Sequence, residues 1–184
     1  MIYGDRIRLR HAEKEDLPTF VKWLKDPEVR EGISMYLPMS MAEEEGWFEK
    51  MLERPPVERS LCIEVKRGSD WTLVGNCGYF NIEDRIRAAE LGILIGEKSE
   101  WSKGYGSETM ALLLRFGFDT LNLNRIWLRV YENNPRAVRA YEKAGFVHEG
   151  RYRQGQFAGG KYYDVLLMSA LRDEWRAANP ETKG

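Results

Sequence analysis

The sequence predicts a single α/β domain, in which about four helices flank a mixed, mostly antiparallel central sheet of about seven strands. Three observations predict it. Strand-like segments and segments with helical spacing of apolar residues follow one another along the chain. Turn-forming Gly, Pro, Asp and Ser residues separate them. The 184 residues are enough for one sizeable core. We therefore assign residues 1–176 to one domain and residues 177–184 to a loose polar tail.

From the N-terminus, a strand is predicted at residues 7–10 and two helices follow it. The first helix, at residues 16–24, is indicated by an apolar stripe at Leu17, Phe20, Val21 and Leu24. A short turn begins at Asp26, and residues 32–41 form a loop. The second helix covers residues 42–54. Two neighbouring strands at residues 60–66 and 71–78 come next, joined by a turn-rich tetrapeptide.

A glycine-containing turn then connects a strand at residues 88–95 to a helix at residues 106–121. Unpaired N–H groups at a helix N-terminus carry positive partial charge and can hold a phosphate or pyrophosphate. Gly104 and Gly106 let the backbone approach such a ligand closely. The turn lacks the third glycine of the dinucleotide fingerprint, and the chain contains no P-loop. Taken alone, the two glycines indicate either a phosphate-binding turn or only a tight turn.

A second element follows a strand at residues 125–130. Asn134 suits the N-cap of a helix, Pro135 its first position and Gly145 the residue after its end. Phe146 starts a further strand, and the last strand includes residues 163–168. Between these two strands, residues 151–161 contain three glycines. This pattern predicts a mobile loop that covers a substrate-binding site.

These two elements resemble those of the GCN5-related N-acetyltransferase (GNAT) family. The family's pyrophosphate loop, Q/R-x-x-G-x-G/A, is matched from Trp101 to Gly106 except at Trp101 itself. The family's later element, N-x-x-A/S-x-x-x-Y-x-K-x-G-F, is matched by Asn134, Ala137, Tyr141, Lys143, Gly145 and Phe146. The resemblance implies a GNAT-like fold that transfers acetyl from acetyl-CoA to a primary amine, directly, in a ternary complex.

Both ends of the chain are similar to one branch of that family. The matching segments are residues 7–10, 15–16, 23, 26–29, 163–168 and 174–175. This branch holds ribosomal-protein N-terminal acetyltransferases and spermidine acetyltransferases. The resemblance therefore implies either a peptide N-terminus or a small polyamine as acceptor, and a possible homodimer. The residues alone do not choose between these acceptors, since the acidic run at Glu43–Glu45 also suits the solvated first turn of a helix.

The resemblance also implies which residues hold coenzyme A (CoA). The loop residues that would bind its pyrophosphate are Lys103, Gly104, Tyr105, Gly106 and Ser107. Asn134 and Ala137 would contact the CoA arm. The backbone of Ile93, Leu94 and Ile95 would line the acetyl–pantetheine channel. In the family this strand is bulged and splays from its neighbour, and Gly92 is the easiest place for a bulge or a close ligand approach.

Two residues are candidates for proton transfer. Tyr141 would deliver a proton to the leaving thiolate, although its helical stripe would equally suit a core tyrosine. Glu90 would accept the amine proton, directly or through water, or it is an exposed charge at the strand end. Asp164 lies in an apolar run, which indicates a paired or site-facing carboxylate.

Composition narrows the class of protein. A net charge of −1 gives no support to sequence-independent nucleic-acid binding. No apolar run has the length of a membrane span, so we expect a cytoplasmic protein without a membrane partner. Cys62 and Cys77 are expected to be buried and reduced, and no histidine has metal-ligand spacing. Two other functions stay open: a catalytically silent, CoA-binding regulatory domain and a binding module without a cofactor.

Overall fold

The computed structural model describes residues 1–33 and 35–180. Its strands are β1 (Ile2–Tyr3), β2 (Ile7–His11), β3 (Leu61–Arg67), β4 (Asp70–Glu83), β5 (Ala88–Ile95), β6 (Arg125–Tyr131), β7 (Val147–Ala158) and β8 (Lys161–Leu171). Its α-helices are α1 (Leu17–Lys25), α2 (Pro27–Glu31), α3 (Met41–Leu52), α4 (Tyr105–Asp119), α5 (Pro135–Ala144) and α6 (Arg172–Ala178). The strands follow the sheet order β1-β2-β3-β4-β5-β6-β8-β7.

The predicted fold class is confirmed. β5 and β6 pair in parallel, with Ala88 opposite Arg125. The pairs β1–β2, β2–β3, β3–β4, β6–β8 and β7–β8 are antiparallel. The sheet is therefore mixed and mostly antiparallel. Within the described ranges it has one strand more than expected, and α2 and α6 are additional short helices.

One compact unit comprises residues 1–79 and 93–105. The predicted stripe of α1 is buried, and Phe20 lies at its centre. The Phe20 ring contacts Trp23 at 5.8 Å and Trp47 of α3 at 6.3 Å between ring centroids. Arg10 fixes the start of α1, because its guanidinium donates to both oxygens of Asp16 at 2.7 and 2.8 Å. Through these ring contacts, α1 and α3 pack against one aromatic cluster.

The other unit comprises residues 80–92 and 106–184. The helix predicted at residues 106–121 is α4, and it starts one residue earlier. Fully buried side chains of α4 and β6 form the core of this unit: Met110, Leu113, Leu114, Phe118, Ile126 and Leu128. Trp175 of α6 packs on Phe118 with ring centroids 5.6 Å apart. The C-terminal helix, which the sequence pattern did not predict, thus closes over α4.

The loop predicted at residues 151–161 is wrong, since β7 and β8 run through most of it. Only Gly159 and Gly160 form the turn, with φ of 56° and 78°, and positive φ at both positions is what a two-residue type I′ hairpin turn needs. The third glycine is a packing residue, because a Cβ on Gly155 would lie 2.9 Å from Val165 Cγ2. The glycines indicate a tight hairpin and not mobility.

Other expectations have mixed outcomes. The turn predicted at Asp26 is the N-cap of α2, where the Asp26 side chain accepts a hydrogen bond from Glu28 N. Ser34 of the predicted loop and residues 181–184 of the predicted tail lie outside the described residues, and α6 covers Ala177 and Ala178. The assignment of residues 1–176 and 177–184 stays a prediction.

Both cysteines are buried and unbonded to each other, as expected, and burial raises the pKa of each thiol. In the part of the chain that is described, no three His, Cys, Asp or Glu side chains form a group that could hold a metal ion. No helix there has the length and apolar character needed to cross a bilayer.

Candidate active site

The turn before α4 requires glycine at position 104. Gly104 has φ of 88°, in the left-handed region that other residues avoid. It precedes the first helical residue and has no side chain that could cap the helix. By contrast, the side chains of Asp26, Ser40 and Asn134 cap α2, α3 and α5. The first N–H groups of α4 have no intrahelical partner and no side-chain cap from this position.

Gly106 differs from Gly104, because the space around its backbone is open. A Cβ built on it would have no heavy atom within 4 Å, other than those of its own helix backbone and chain neighbours. Gly106 and Ser107 are half-buried in the first turn of α4. Neither the conformation nor the packing of the protein therefore demands glycine at position 106. The backbone here is open to a ligand that approaches closely.

Tyr105 anchors the turn with its side chain. The ring is buried under two guanidinium groups, with Arg6 Cζ at 4.8 Å and Arg67 Cζ at 5.9 Å from its centroid. Arg67 also donates to the Tyr105 hydroxyl at 3.2 Å, and Arg6 donates to the Lys103 carbonyl at 3.2 Å. Since the Tyr105 side chain is occupied inside the protein, only its backbone is placed to hold a ligand.

The Lys103 side chain is half-exposed and pairs with Glu100, at 3.2 Å between Nζ and Oε2. Arg67 reaches the same oxygen at 2.7 Å. Burial works to raise the pKa of Glu100, but the hydrogen bonds from Arg67 and Lys103 outweigh it and lower the pKa. The loop thus carries the positive charge of Lys103, paired with Glu100, next to the start of α4. Lys103 can bind an anionic ligand there if its ammonium group leaves Glu100.

Trp101, the departure from the family pattern, has a structural role. Its indole Nε1 donates to the Ile95 carbonyl at 2.6 Å. The ring packs against the aromatic cluster of the same unit. This bond ties the start of the loop to the end of β5, so the residue at position 101 holds the loop in place through the main chain of that strand.

The end of β5 is its accessible part. Ala88–Leu91 are buried, whereas Ile93, Leu94 and Ile95 are half-buried. The ladder to β6 ends at the pair Glu90–Trp127, so Leu91 and Gly92 do not continue it. The pairing of β5 with β6 therefore stops before the residues that the resemblance implies for the acetyl–pantetheine channel, and the splay itself stays a prediction. The space beside Gly92 is filled by Phe80, whose Cε2 would lie 2.7 Å from a Cβ. Packing inside the protein thus explains this glycine.

Glu90 is buried and accepts one hydrogen bond at each carboxylate oxygen, so it is not an exposed charge at the strand end. Its Oε1 accepts from Arg129 Nε at 2.8 Å, and its Oε2 accepts from Asn81 Nδ2 at 2.8 Å. Asn81 has φ of 50°, which marks a local irregularity in β4. Neither partner was predicted: Asn81 is nine positions away on the preceding strand, and Arg129 is 39 positions away on β6. Each carboxylate oxygen keeps a lone pair for a further donor.

The predicted cap of α5 is present. Asn134 Oδ1 accepts from Ala137 N at 3.1 Å, and Gly145 ends the helix with φ of 104°. Capping alone accounts for the side-chain oxygen of Asn134 and for the N–H of Ala137. Both residues are half-buried. Their contacts with the CoA arm stay a prediction.

Tyr141 lies on α5 with its side chain buried and its ring 6.1 Å from that of Phe146. Burial raises the pKa of Tyr141 to about 12, so the phenol stays protonated at physiological pH. No charged group or hydrogen bond contributes to that shift. A core tyrosine normally satisfies its buried hydroxyl within the protein. None of the described residues hydrogen-bonds to the Tyr141 hydroxyl, so its O–H can donate to a ligand.

Asp164 proves to be a paired carboxylate. It accepts from Gln154 N at 2.8 Å and from Arg151 Nη1 at 3.1 Å. The hydrogen bond from Gln154 N and then the Arg151 pair lower its pKa. Its partners lie in the β7–β8 hairpin, so Asp164 stabilises that hairpin.

Comparison with known proteins gives consistent matches. A family model described as an acetyltransferase (GNAT) domain matches residues 6–147. An uncharacterized N-acetyltransferase of Bacillus licheniformis is 30% identical over 176 residues, covering 95% of this chain and 97% of that protein. The spermidine N(1)-acetyltransferase of Vibrio cholerae is 35% identical over 118 residues, which are 64% of this chain and 66% of that protein. The crystal structure of spermidine N-acetyltransferase from Vibrio cholerae, in complex with CoA and spermine, matches with a TM-score of 0.83 at 28% identity, covering 94% and 99% of the two chains.

Proposed function

The chain belongs to the GNAT family of acetyltransferases, and on that premise we propose its acceptor and the roles of its residues. Membership fixes the activity: the protein is an N-acetyltransferase that moves the acetyl group of acetyl-CoA to an amine. We propose a small aliphatic polyamine as the acceptor. The observation that supports this choice is the similarity in fold, over 94% of the chain, to a spermidine N-acetyltransferase.

The residues at the start of α4 fit CoA. Gly104 has no side chain that could cap the helix N-terminus, and Gly106 leaves its backbone open. A pyrophosphate suits such a terminus because backbone N–H groups and the helix dipole favour an anion. We propose that residues 103–107 hold the pyrophosphate, with Asn134 and Ala137 on the CoA arm. Ile93, Leu94 and Ile95 line the acetyl–pantetheine channel in this proposal.

Acetyl-CoA supplies an already activated thioester, so no covalent enzyme intermediate is needed. Tyr141 supplies the proton that the leaving thiolate needs, since its hydroxyl stays protonated well above physiological pH. Glu90 assists loss of the amine proton through a bridging water, because each of its oxygens already accepts one hydrogen bond. Arg129 and Asn81 hold the carboxylate in one orientation for that step.

An acetyl-CoA turnover screen tests the acceptor. Spermidine, short peptides, an aminoglycoside and free amino acids are compared at equal concentrations, and free thiol is measured. We expect the highest kcat/KM with spermidine. A preference for peptide N-termini would replace the polyamine proposal with a protein-modifying role. No turnover with any of these acceptors, while CoA still raises the Tm, would identify a silent regulatory domain. No rise in Tm would identify a module without a cofactor.

We also propose a homodimer in the cytoplasm. The dimer follows from the family resemblance, and the location agrees with two unbonded thiols. Light scattering of the purified protein tests the first point, and a monomer at micromolar concentration would contradict it.

A further inference from the structure

The main chain of β4 holds the end of β5 in place. A register shift between Ile63 and Glu64 of β3 leaves Val74 of β4 as a bulged residue. The carbonyl of Val74 accepts hydrogen bonds from Gly96 N at 2.9 Å and from Glu97 N at 3.1 Å. Both lone pairs of this oxygen are therefore used on the two residues that directly follow β5. The bulge thus fixes the place where β5 ends.

Gly75, the residue after the bulge, allows a close approach of the two strands. It is buried, and a Cβ built on it would lie 2.1 Å from the Leu94 carbonyl oxygen and 3.0 Å from Ile95 Cα. These are backbone atoms, so they cannot turn aside as the end of a flexible side chain can. Position 75 therefore requires glycine as long as the main chain of Leu94 keeps its place.

Two tryptophans hold the same segment. Trp101 Nε1 donates to the Ile95 carbonyl at 2.6 Å. Gly96 lies directly on the Trp23 ring, where a Cβ would be 2.1 Å from Cδ2. Residues 94–97 are thus held by contacts with β4, with α1 and with the loop before α4. The position of this short piece of main chain is set by the packing of one unit.

The segment held in this way includes two residues proposed to line the acetyl–pantetheine channel, Leu94 and Ile95. A Cβ contact shorter than 3.0 Å is essentially never seen, so a methyl group at position 75 would displace the Leu94 carbonyl by about 1 Å. A misplacement of about 1 Å by a change away from the reacting atoms can cost about 100-fold in rate. The space at position 75 is therefore coupled to the wall of the channel.

We propose that Gly75 is a positioning residue for the acetyl group, because it fixes the main chain of Leu94 and Ile95. The inference rests on the proposed CoA site and adds to it a residue of β4 that acts only through β5. A methyl group at position 75 moves the channel wall and leaves the loop at residues 103–107 unchanged. Acetyl transfer and selectivity for the acyl group should suffer, whereas the affinity for CoA should persist.

The variant Gly75→Ala tests this role, with Gly46→Ala as the control. The control adds the same methyl group where no heavy atom lies within 4 Å beyond its own helix and chain neighbours. Acetyl-CoA and propionyl-CoA are compared with the acceptor that the wild type uses best, and the Kd of CoA is measured by calorimetry. One methylene in a fitted pocket is worth about 10- to 200-fold in kcat/KM, so the ratio of the two kcat/KM values reports where the wall lies.

We expect Gly75→Ala to lower kcat with acetyl-CoA about 100-fold. The acetyl-to-propionyl ratio of kcat/KM should fall more than about tenfold, because the wall is no longer placed for the smaller group. The Kd of CoA should change less than about threefold, since the loop at residues 103–107 is unaltered. Gly46→Ala should keep kcat, the acyl ratio and this Kd within about twofold of wild type.

The outcomes separate this inference from the proposed function. If wild type neither binds CoA nor turns over acetyl-CoA, the proposed function fails and the inference fails with it. If wild type is active and Gly75→Ala keeps the acyl ratio or raises it, the inference is overturned, even if kcat or Tm falls, because a loosened fold slows both acyl transfers alike. Trp101→Phe repeats the test in case Gly75→Ala does not fold. It keeps a ring in the aromatic cluster and releases the Ile95 carbonyl, so the acyl ratio should fall here too, and an unchanged ratio would reject the inference.

Discussion

Replacement of Tyr141 by phenylalanine removes one hydroxyl and tests the proposed proton donor. The ring of the variant keeps its contact with Phe146, whose centroid lies 6.1 Å away. Among residues 1–33 and 35–180 no group hydrogen-bonds to this hydroxyl, so none of them loses a partner in the variant. We therefore expect Tm to change little. A general acid typically contributes a factor of about 10²–10⁴, so we expect kcat to fall within that range.

The assay measures thiol release under saturating acetyl-CoA, with Tm and CoA affinity determined on the same preparation. Tyr162→Phe is the control, because this tyrosine is 65% exposed and lies in the β7–β8 hairpin. It should retain wild-type kcat and Tm. A core role for Tyr141 predicts the reverse: a loss of about 1–3 kcal/mol in unfolding free energy with near-normal kcat in the folded fraction. That result would refute the proton-donor reasoning.

The pH dependence of stability provides an independent check on the same residue. Since burial raises the pKa of Tyr141 to about 12, the folded state keeps the phenol proton at pH values where the unfolded chain, near pH 10, has released it. Stability is therefore fully present below about pH 10 and declines as pH rises toward 12. The loss amounts to roughly 2–3 kcal/mol. Tyr141→Phe should lack this part of the alkaline decline.

Three further predictions concern the loop, Glu90 and Glu44. Gly106→Val should fold, because its Cβ meets no atom within 4 Å, but CoA should no longer stabilise it; the wild type should gain about 2.7 kcal/mol at 100 times Kd, seen as a rise in Tm. Gly104→Val, with φ of 88° at that position, should instead lose about 1–2 kcal/mol of stability even without CoA. Unchanged CoA affinity in Gly106→Val would remove the loop from the site. Glu90→Gln should lower kcat most at low pH with CoA affinity unchanged, and an overlay of its pH–rate profile on that of wild type would exclude Glu90 from proton transfer. Because burial raises the folded pKa of Glu44 to about 7 from 4.5, its contribution to stability is lost as pH rises from about 4.5 to 7, and Glu44→Gln should flatten that decline of roughly 3 kcal/mol in urea titrations.

Local patterns predicted the elements that carry the motifs. The apolar stripe of α1, the cap at Asn134 and the end of α5 at Gly145 depend on residues within one or two turns, so the sequence suffices for them. The hairpin of β7 and β8 was missed because glycine has two uses. Gly159 and Gly160 adopt the positive φ of the turn, whereas the missing side chain of Gly155 leaves room for the Val165 side chain. Only the pairing of the strands shows that these glycines have structural roles and do not mark a flexible loop.

The surroundings of the site residues depend on contacts between distant segments. Glu90 meets Arg129 across 39 positions, and Trp101 is explained only once its bond to Ile95 is known. Glu44 is similar, since the acidic run Glu43–Glu45 gives no sign that one member is buried. Burial of a single residue in such a run is set by the rotation of the helix against its neighbours. A residue's type and spacing identified candidates, and tertiary contacts determined what each can do.

The contact between Gly96 and Trp23 restricts the order in which mutations can accumulate at these two positions. With Trp23 in place, a Cβ at position 96 would lie 2.1 Å from the indole, so any other residue there is selected against at once. Once Trp23 has been replaced by a smaller residue, the same change at position 96 fills the space that the ring has left. The effect of a mutation at one position thus reverses its sign with the identity of the other. Double variants at these two positions should therefore arise through a first step at position 23 and not at position 96.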